Sequence, residues 1–175
     1  MLDKALKFAT EAHKGQVRKY THEPYIVHPV EVSSLVKRHG GTEVQQVAAL
    51  LHDVVEDTDV TLDQISIKFG TQVADLVYWL TDQSKMEDGN RAVRKAIDRK
   101  HTFSAPHEAQ FIKLADLISN SISIAEHDKG FAKVFLAEKQ LILDGMLDSV
   151  KATNLFKIAQ MQIKRLTWYQ IQMIM

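Results

Sequence analysis

Cysteine is absent from the 175 residues, which excludes disulfides and thiolate metal sites and is compatible with a reducing interior. Net charge is absent as well: 22 Lys and Arg cancel 22 Asp and Glu, so no global field recruits nucleic acid or a membrane surface. Any anion site must therefore come from a local cluster. Long apolar runs are missing too. The N-terminal MLDKALKFATEAHKG alternates charged and apolar residues at helical spacing, unlike a signal peptide, and nothing later approaches a membrane span. A cytoplasmic chain with no nucleic-acid or membrane partner is expected. Glycine (7) and proline (3) are scarce and sit mostly between periodic segments, strand alternation is weak, and no solenoid repeat or low-complexity linker interrupts the chain. These absences leave an all-α fold. At 45% hydrophobic residues the chain can bury a substantial core, so residues 1–175 are expected to form a single domain.

Helical periodicity divides the chain into nine expected helices. The first presents Leu2, Leu6, Ala9 and His13 on one face and ends near Gly15. Gln16 to Ile26 is too polar and turn-prone for core and reads as a loop. Pro29 fits the first turn of a second helix, ended by Gly40 and Gly41. Thr42 caps a third that runs on into LLHDVVEDT, and TLDQ, Thr61 to Gln64, has the spacing of a capping box for a fourth. Thr71 opens a fifth, Asn90 to Lys100 a basic sixth, Phe111 to Glu126 a seventh, Phe131 to Leu147 an eighth, and Thr153 onward a ninth. Asp82 to Gly89 and Lys100 to Pro106 are the expected mobile connections. Leu136, Leu141, Leu143, Leu147, Leu155, Ile158, Met161, Ile163 and the terminal WYQIQMIM are assigned to core packing, as are Trp79, Trp168 and Tyr169. A helix-mediated homodimer would produce the same terminal pattern.

Polar residues inside apolar helical segments carry the chemistry. In LLHDVVEDT, Leu50 to Thr58, His52 and Glu56 fall one helical turn apart, as do Asp53 and Asp57, between the apolar Leu51, Val54 and Val55. Burying imidazole and carboxylate costs free energy unless something pairs with them, and a metal ion would do so. An acidic helix end dissolving into a loop would give the same dipeptide. Two further residues weigh against that reading: His28, before Pro29 at a helix start, and Asp116, set in the apolar run FIKLADLISN. Two histidines and two carboxylates form a mixed nitrogen and oxygen set that suits manganese, iron or zinc.

The runs AHKGQVRKYTHEPYIVHP, LLHDVVEDTDVTLDQI and KLADLISN resemble, in order and spacing, the hydrolase domain of the RelA/SpoT family, a branch of the HD metal-dependent phosphohydrolases. The resemblance covers most of residues 1–127 and implies a compact multi-helix HD-domain bundle. It implies metal ligands at His28, His52, Asp53 and Asp116, with Mn2+ the usual ion and Fe2+ or Zn2+ alternatives. It places Glu56 and Asp57 in the pair that orients and activates water, Arg18 and Lys19 at the nucleotide, and Tyr25 and Asn120 along the nucleoside pocket. The activity implied is hydrolysis of the 3′-pyrophosphate of (p)ppGpp to GDP or GTP and pyrophosphate by a stand-alone small alarmone hydrolase.

Arg91, Lys95 and Arg99, with Arg94 beside them, share a face of the basic helix that would clamp a 5′ diphosphate; a solvated basic face gives the same pattern. Two departures from the family bear on the substrate. Thr21 and His22 stand where a small or glycine-rich turn is common before EPY, and Leu117 stands where a basic residue commonly follows the helix aspartate. They keep (p)ppApp or NADPH open as substrates. An HD-type 5′-nucleotidase and a non-catalytic metal-binding regulatory domain are the other readings; the RK and EPYIVHP motifs oppose the first, and Glu56 with Asp57 the second.

Overall fold

The structure is a computed structural model that describes residues 1–172, and it is all-α. Met173, Ile174 and Met175, the last part of the apolar end assigned to core, lie outside the described residues. Contacts cluster into two compact units, Met1–Gln83 and Ser84–Met175.

The first unit holds α1 (Leu2–Ala12), α2 (Val27–Arg38), α3 (Glu43–Leu51), α4 (Val54–Asp57), α5 (Leu62–Phe69) and α6 (Thr71–Leu80). Its centre is α3, which packs against α1, α2 and α6. Val47, Ala48, Ala49 and Leu51 are fully buried there, and Val32 and Val36 of α2 with Val73 and Val77 of α6 close around them. Local signals start these helices where expected. Thr42 and Thr61 each accept a hydrogen bond from the backbone three residues on, while Gln45 and Gln64 reach back, so two orphan donors are satisfied at each start.

One helix differs from its expected extent in a way that shapes the site. The third was expected to run on into the stretch from Leu50 to Thr58, but it stops at Leu51, and His52 and Asp53 form a turn before the short α4. The backbone of Asp53, at φ −96° and ψ −7°, sits at the edge of helical space and redirects the chain. The first helix also buries Ala5 and Ala9 rather than Leu6, which is 37% exposed.

In the second unit a 3-10 turn (Met86–Asp88) precedes α7 (Arg91–Ser104), α8 (His107–His127), α9 (Lys129–Asp144), α10 (Asp148–Lys151) and α11 (Asn154–Gln172). The core of this unit is α8, packed against α9, α10 and α11 and burying Ile112, Leu114, Ala115 and Leu117. The connection expected to be mobile from Lys100 to Pro106 is mostly helix: α7 runs to Ser104 and α8 begins at His107. Buried Gln110 fastens this corner, donating to the Ala105 carbonyl at 3.0 Å and accepting from the Leu147 amide at 2.9 Å. Several residues assigned to core are surface instead: Leu141, Leu147, Met161, Trp168 and Tyr169 are 40–63% exposed, while Leu136, Leu143, Leu155 and Ile163 are buried. Among the described residues no helix is long and apolar enough to cross a membrane.

Asp98 anchors the start of this unit. Its carboxylate, 6% exposed as a residue, accepts from the Ser84 amide at 2.9 Å, the Ser84 hydroxyl at 3.0 Å and Lys95 Nζ at 3.2 Å. Burial alone would raise its pKa, but the Ser84 hydrogen bonds and the Lys95 charge outweigh burial and lower it below the usual carboxylate value. A lowered folded-state pKa contributes stability that is present above the unfolded value and is lost as pH falls through the folded one. Asp98→Asn is therefore expected to cost about 2 kcal/mol at neutral pH, because it leaves buried donors poorly matched. In urea melts the gap between wild type and variant should close below about pH 4, the unfolded value. A gap that holds its size at pH 3 would contradict the ionised assignment.

Candidate metal centre

Three of the four residues singled out as metal ligands converge in the first unit. His28 lies in the first turn of α2, His52 directly follows the last residue of α3, and Asp53 directly precedes α4 without a side-chain capping bond. Both histidines are buried, at 1% and 2% exposure, and their ring planes meet edge to face with centroids 5.1 Å apart. His52 Nδ1 donates to the Ala49 carbonyl at 2.8 Å. That bond fixes the tautomer and leaves the Nε2 lone pair for a ligand, the arrangement usual for a metal-binding imidazole. Asp53 Oδ2 lies 3.1 Å from His52 Nε2 and 3.5 Å from His28 Nε2. Donors about 2.1 Å from a common ion stand roughly 3.0–3.4 Å from one another, so these separations fit a single divalent ion.

Neighbouring residues orient the ligands. The Tyr25 hydroxyl donates to Asp53 Oδ2 at 2.7 Å, and the Tyr25 ring stands edge-on to His28 at 6.0 Å. Tyr25 thus touches the candidate metal ligands directly. Arg18 and Lys19 belong to a tight loop closed by the Arg18 amide on the Glu23 carbonyl and a Val17 to Pro24 bridge. Lys19 lies over the Tyr20 ring, 4.8 Å from its centroid. At the tip of the loop His22 adopts φ +58°, the left-handed conformation that costs a side-chain-bearing residue about 1 kcal/mol and glycine little. His22→Gly is expected to raise stability by about 0.5–1 kcal/mol with no loss of metal binding. A lower melting temperature would show that the imidazole holds the loop.

Glu56 and Asp57 follow in α4, beyond the ligands. Glu56 Oε2 accepts from the Asp82 amide at 3.2 Å, tying α4 to the segment after α6. Asp57 is exposed as a residue, though its neighbours partly desolvate its carboxyl. Desolvation there, together with the negative charge of Asp53, raises its pKa, while a Tyr25 hydrogen bond and His13 and His52 pull it down. This carboxyl is thereby poised toward accepting a proton.

The remaining expected site residues lie in the second unit. Asp116 is 6% exposed in mid-α8, where Asn120 Nδ2 donates to its Oδ1 at 2.6 Å and Lys113 Nζ lies 3.0 Å from its Oδ2. Leu117 is buried in the apolar core of the unit and presents no cation. Arg91 forms a two-pronged pair with Glu138, at 2.9 and 2.8 Å, and its guanidinium lies over Phe131. Lys95 pairs with Asp98.

Gln16 is the residue that the sequence reading passed over, leaving it as loop. Its amide bridges the end of α1 to α4: Nε2 donates to the Asp57 carbonyl at 2.8 Å and Oε1 meets His13 Nδ1 at 2.7 Å. No sequence signal marked it, since its partner at Asp57 lies 41 positions away.

Residues 5–141 match the HD-domain family. The chain belongs to that family. Within it, 123 residues are 37% identical to the guanosine-3′,5′-bis(diphosphate) 3′-pyrophosphohydrolase MESH1 of Danio rerio, covering 69% of this chain and 67% of that protein. The Xenopus tropicalis protein of the same name is 39% identical over 120 residues, 66% of this chain and 65% of the relative. A Synechocystis protein named as a probable enzyme of this kind is 38% identical over 123 residues, and the match spans 69% of this chain and 16% of the relative's length. In structure, a metazoan ortholog of SpoT that hydrolyses ppGpp superposes with a TM-score of 0.81 at 25% identity, covering 94% of this chain and 93% of the other. A Listeria monocytogenes protein, lmo0812, superposes at 0.70 with 28% identity, covering 85% and 99%. This HD-domain chain thus carries a candidate divalent-metal site at His28, His52 and Asp53 in a family whose similar members include named pyrophosphohydrolases.

Proposed function

We propose that this HD-domain chain, read as one phosphohydrolase domain over residues 1–175, removes the 3′-pyrophosphate of guanosine alarmones, converting (p)ppGpp and water to GDP or GTP and pyrophosphate. The observation that carries the reading is the His28, His52 and Asp53 donor set followed directly by Glu56 and Asp57. Names of the relatives supply the substrate class, and the family match across residues 5–141 supports a single functional domain.

His28, His52 and Asp53 would hold the ion, with Asp116 as the fourth ligand and Mn2+ as the metal on the strength of the sequence resemblance. A bound divalent ion supplies Lewis acidity, lowering the pKa of water and drawing charge off a phosphoryl oxygen. The protein residues do the rest. Glu56 and Asp57 hold the attacking water and take its proton as its oxygen approaches the phosphorus on the ribose 3′ oxygen. The P–O bond to the ribose breaks, leaving the 3′ oxygen to be protonated and the pyrophosphate to depart. Tyr25 holds Asp53 in place. Arg18 and Lys19 meet the nucleotide, with the guanidinium on the base and the ammonium near phosphate, and Tyr25 and Asn120 line the nucleoside pocket. For Arg91 and Lys95 to grip a 5′ diphosphate, the ligand would have to displace Glu138 and Asp98.

The sequence departures at Thr21, His22 and Leu117 keep (p)ppApp and NADPH as alternative substrates on the same site. Incubating the purified chain with manganese and ppGpp, ppApp, NADPH and 5′ monophosphates side by side tests the proposal. Pyrophosphate from ppGpp is the expected result. Pyrophosphate from ppApp alone would move the specificity to adenosine, turnover of monophosphates alone would make the chain a nucleotidase, and no turnover with metal bound would make it a regulatory module.

A further inference from the structure

The end of α1 and the backbone of α4 are joined through the side chains of His13 and Gln16, which the reaction described above does not use. The Asp57 carbonyl can only accept, so the Gln16 amide must present its nitrogen there and its oxygen to His13. The oxygen in turn can only accept, which requires a proton on His13 Nδ1. Two obligatory acceptors thus fix both the orientation of an amide and the tautomer of a ring. Meanwhile the Gln16 carbonyl accepts from the Tyr25 amide at 3.0 Å, and the Tyr25 ring lies 4.7 Å from the His13 ring, tilted by 36°. Gln16 consequently holds two parts of the site at once: the backbone that carries Asp57, and the loop that carries Arg18, Lys19 and Tyr25.

Packing alone would not select these residues. His13 is 3% exposed and its Nε2 is buried with no hydrogen-bond partner among the described residues. An apolar side chain at this helix end would fill the space without burying that acceptor, whose desolvation costs about 1–3 kcal/mol. α4 itself is a single turn of four residues, too short to hold its own geometry. Its last residue is secured from outside by Gln16, as Glu56 is by the Asp82 amide.

We propose that His13 and Gln16 are positioning residues of the hydrolytic reaction: the bonded series His13 Nδ1–H, Gln16 amide, Asp57 carbonyl holds the α4 turn so that the water-activating carboxylates keep their place. The inference rests on the hydrolase reading. Positioning acts on the chemical step more than on binding, because the misplaced group is one that works in the transition state.

The test compares Gln16→Leu, His13→Ala and His13→Asn with wild type in full-length protein, measuring kcat and KM for ppGpp and the rise in melting temperature on adding manganese. Asparagine is the informative variant, since its amide places an N–H close to where Nδ1–H was. Gln16→Leu and His13→Ala are expected to lower kcat about tenfold or more with KM within about twofold and the manganese response intact, as loss of orientation does. His13→Asn is expected to restore most of kcat. Wild-type kcat in both deletion variants, a loss that follows loss of the manganese response, or an asparagine variant no better than alanine would each overturn the inference. A wild-type chain that releases no pyrophosphate would instead sink the hydrolase reading, so the two failures are distinct.

Discussion

Alanine at His52 and Asp53 is expected to abolish both metal binding and turnover. Each contributes a donor atom to a set that lies within 4.8 Å, and neither can be replaced by a neighbour, because His52 is fixed by Ala49 and Asp53 by Tyr25. In wild type, a ligand at a hundred times its dissociation constant stabilises the fold by about 2.7 kcal/mol. Manganese should therefore raise the melting temperature of the wild-type chain by several degrees and leave the double variant unmoved. Without metal the double variant should be less stable than wild type by about 1–3 kcal/mol, since it loses the bonds to the Ala49 carbonyl and from the Tyr25 hydroxyl, so the readout is the response to manganese and not the melting temperature itself. Acidification should shrink the wild-type gain, because imidazole and carboxylate must shed their protons to bind metal. Full activity in the double variant would remove the metal centre from the account.

The second large effect separates binding from chemistry. Glu56→Gln keeps the shape of the side chain and an oxygen able to accept from the Asp82 amide, so α4 should keep its place. Losing a general base costs on the order of a hundredfold or more in rate. The variant should thus bind manganese with wild-type affinity and release pyrophosphate at about a hundredth of the rate or less. An unchanged rate would take the proton transfer away from Glu56 and leave it to Asp57.

Much of this was legible in the residues themselves. Helix starts follow local chemistry, and the threonine and glutamine pairs at Thr42 and Thr61 cap the helices that their spacing announces. The histidines and aspartate of the candidate metal site stood out because polar residues in apolar runs need partners, and the structure brings His28, His52 and Asp53 together. The break between α3 and α4 was not legible: residues 50–58 have continuous helical spacing, and periodicity does not register a turn made by His52 and Asp53. Nor was the exposure of Trp168, Tyr169 and Met161, since a long helix such as α11 shows apolar residues on more than one face and only its neighbours decide which face is covered. Gln16 escaped for a third reason. Its role lies in a contact with a residue 41 positions away, and nothing about one glutamine in a polar loop announces that.

Partial desolvation and the proposed catalysis meet at Asp57. Desolvation and the charge of Asp53 raise its pKa in the protein alone. A dication beside Asp53 would offset that charge and draw the pKa back down, so the base would be most strongly ionised when the site is loaded.

The measurement that reaches the central claim most directly is hydrolysis of ppGpp in water enriched in oxygen-18, with manganese present, followed by mass analysis of both products. Attack on the phosphorus next to the ribose predicts one heavy oxygen in pyrophosphate and none in GDP, with turnover lost on chelation and restored by the metal. Heavy oxygen in GDP, heavy inorganic phosphate as the first product, or undiminished turnover after the metal is removed would contradict it.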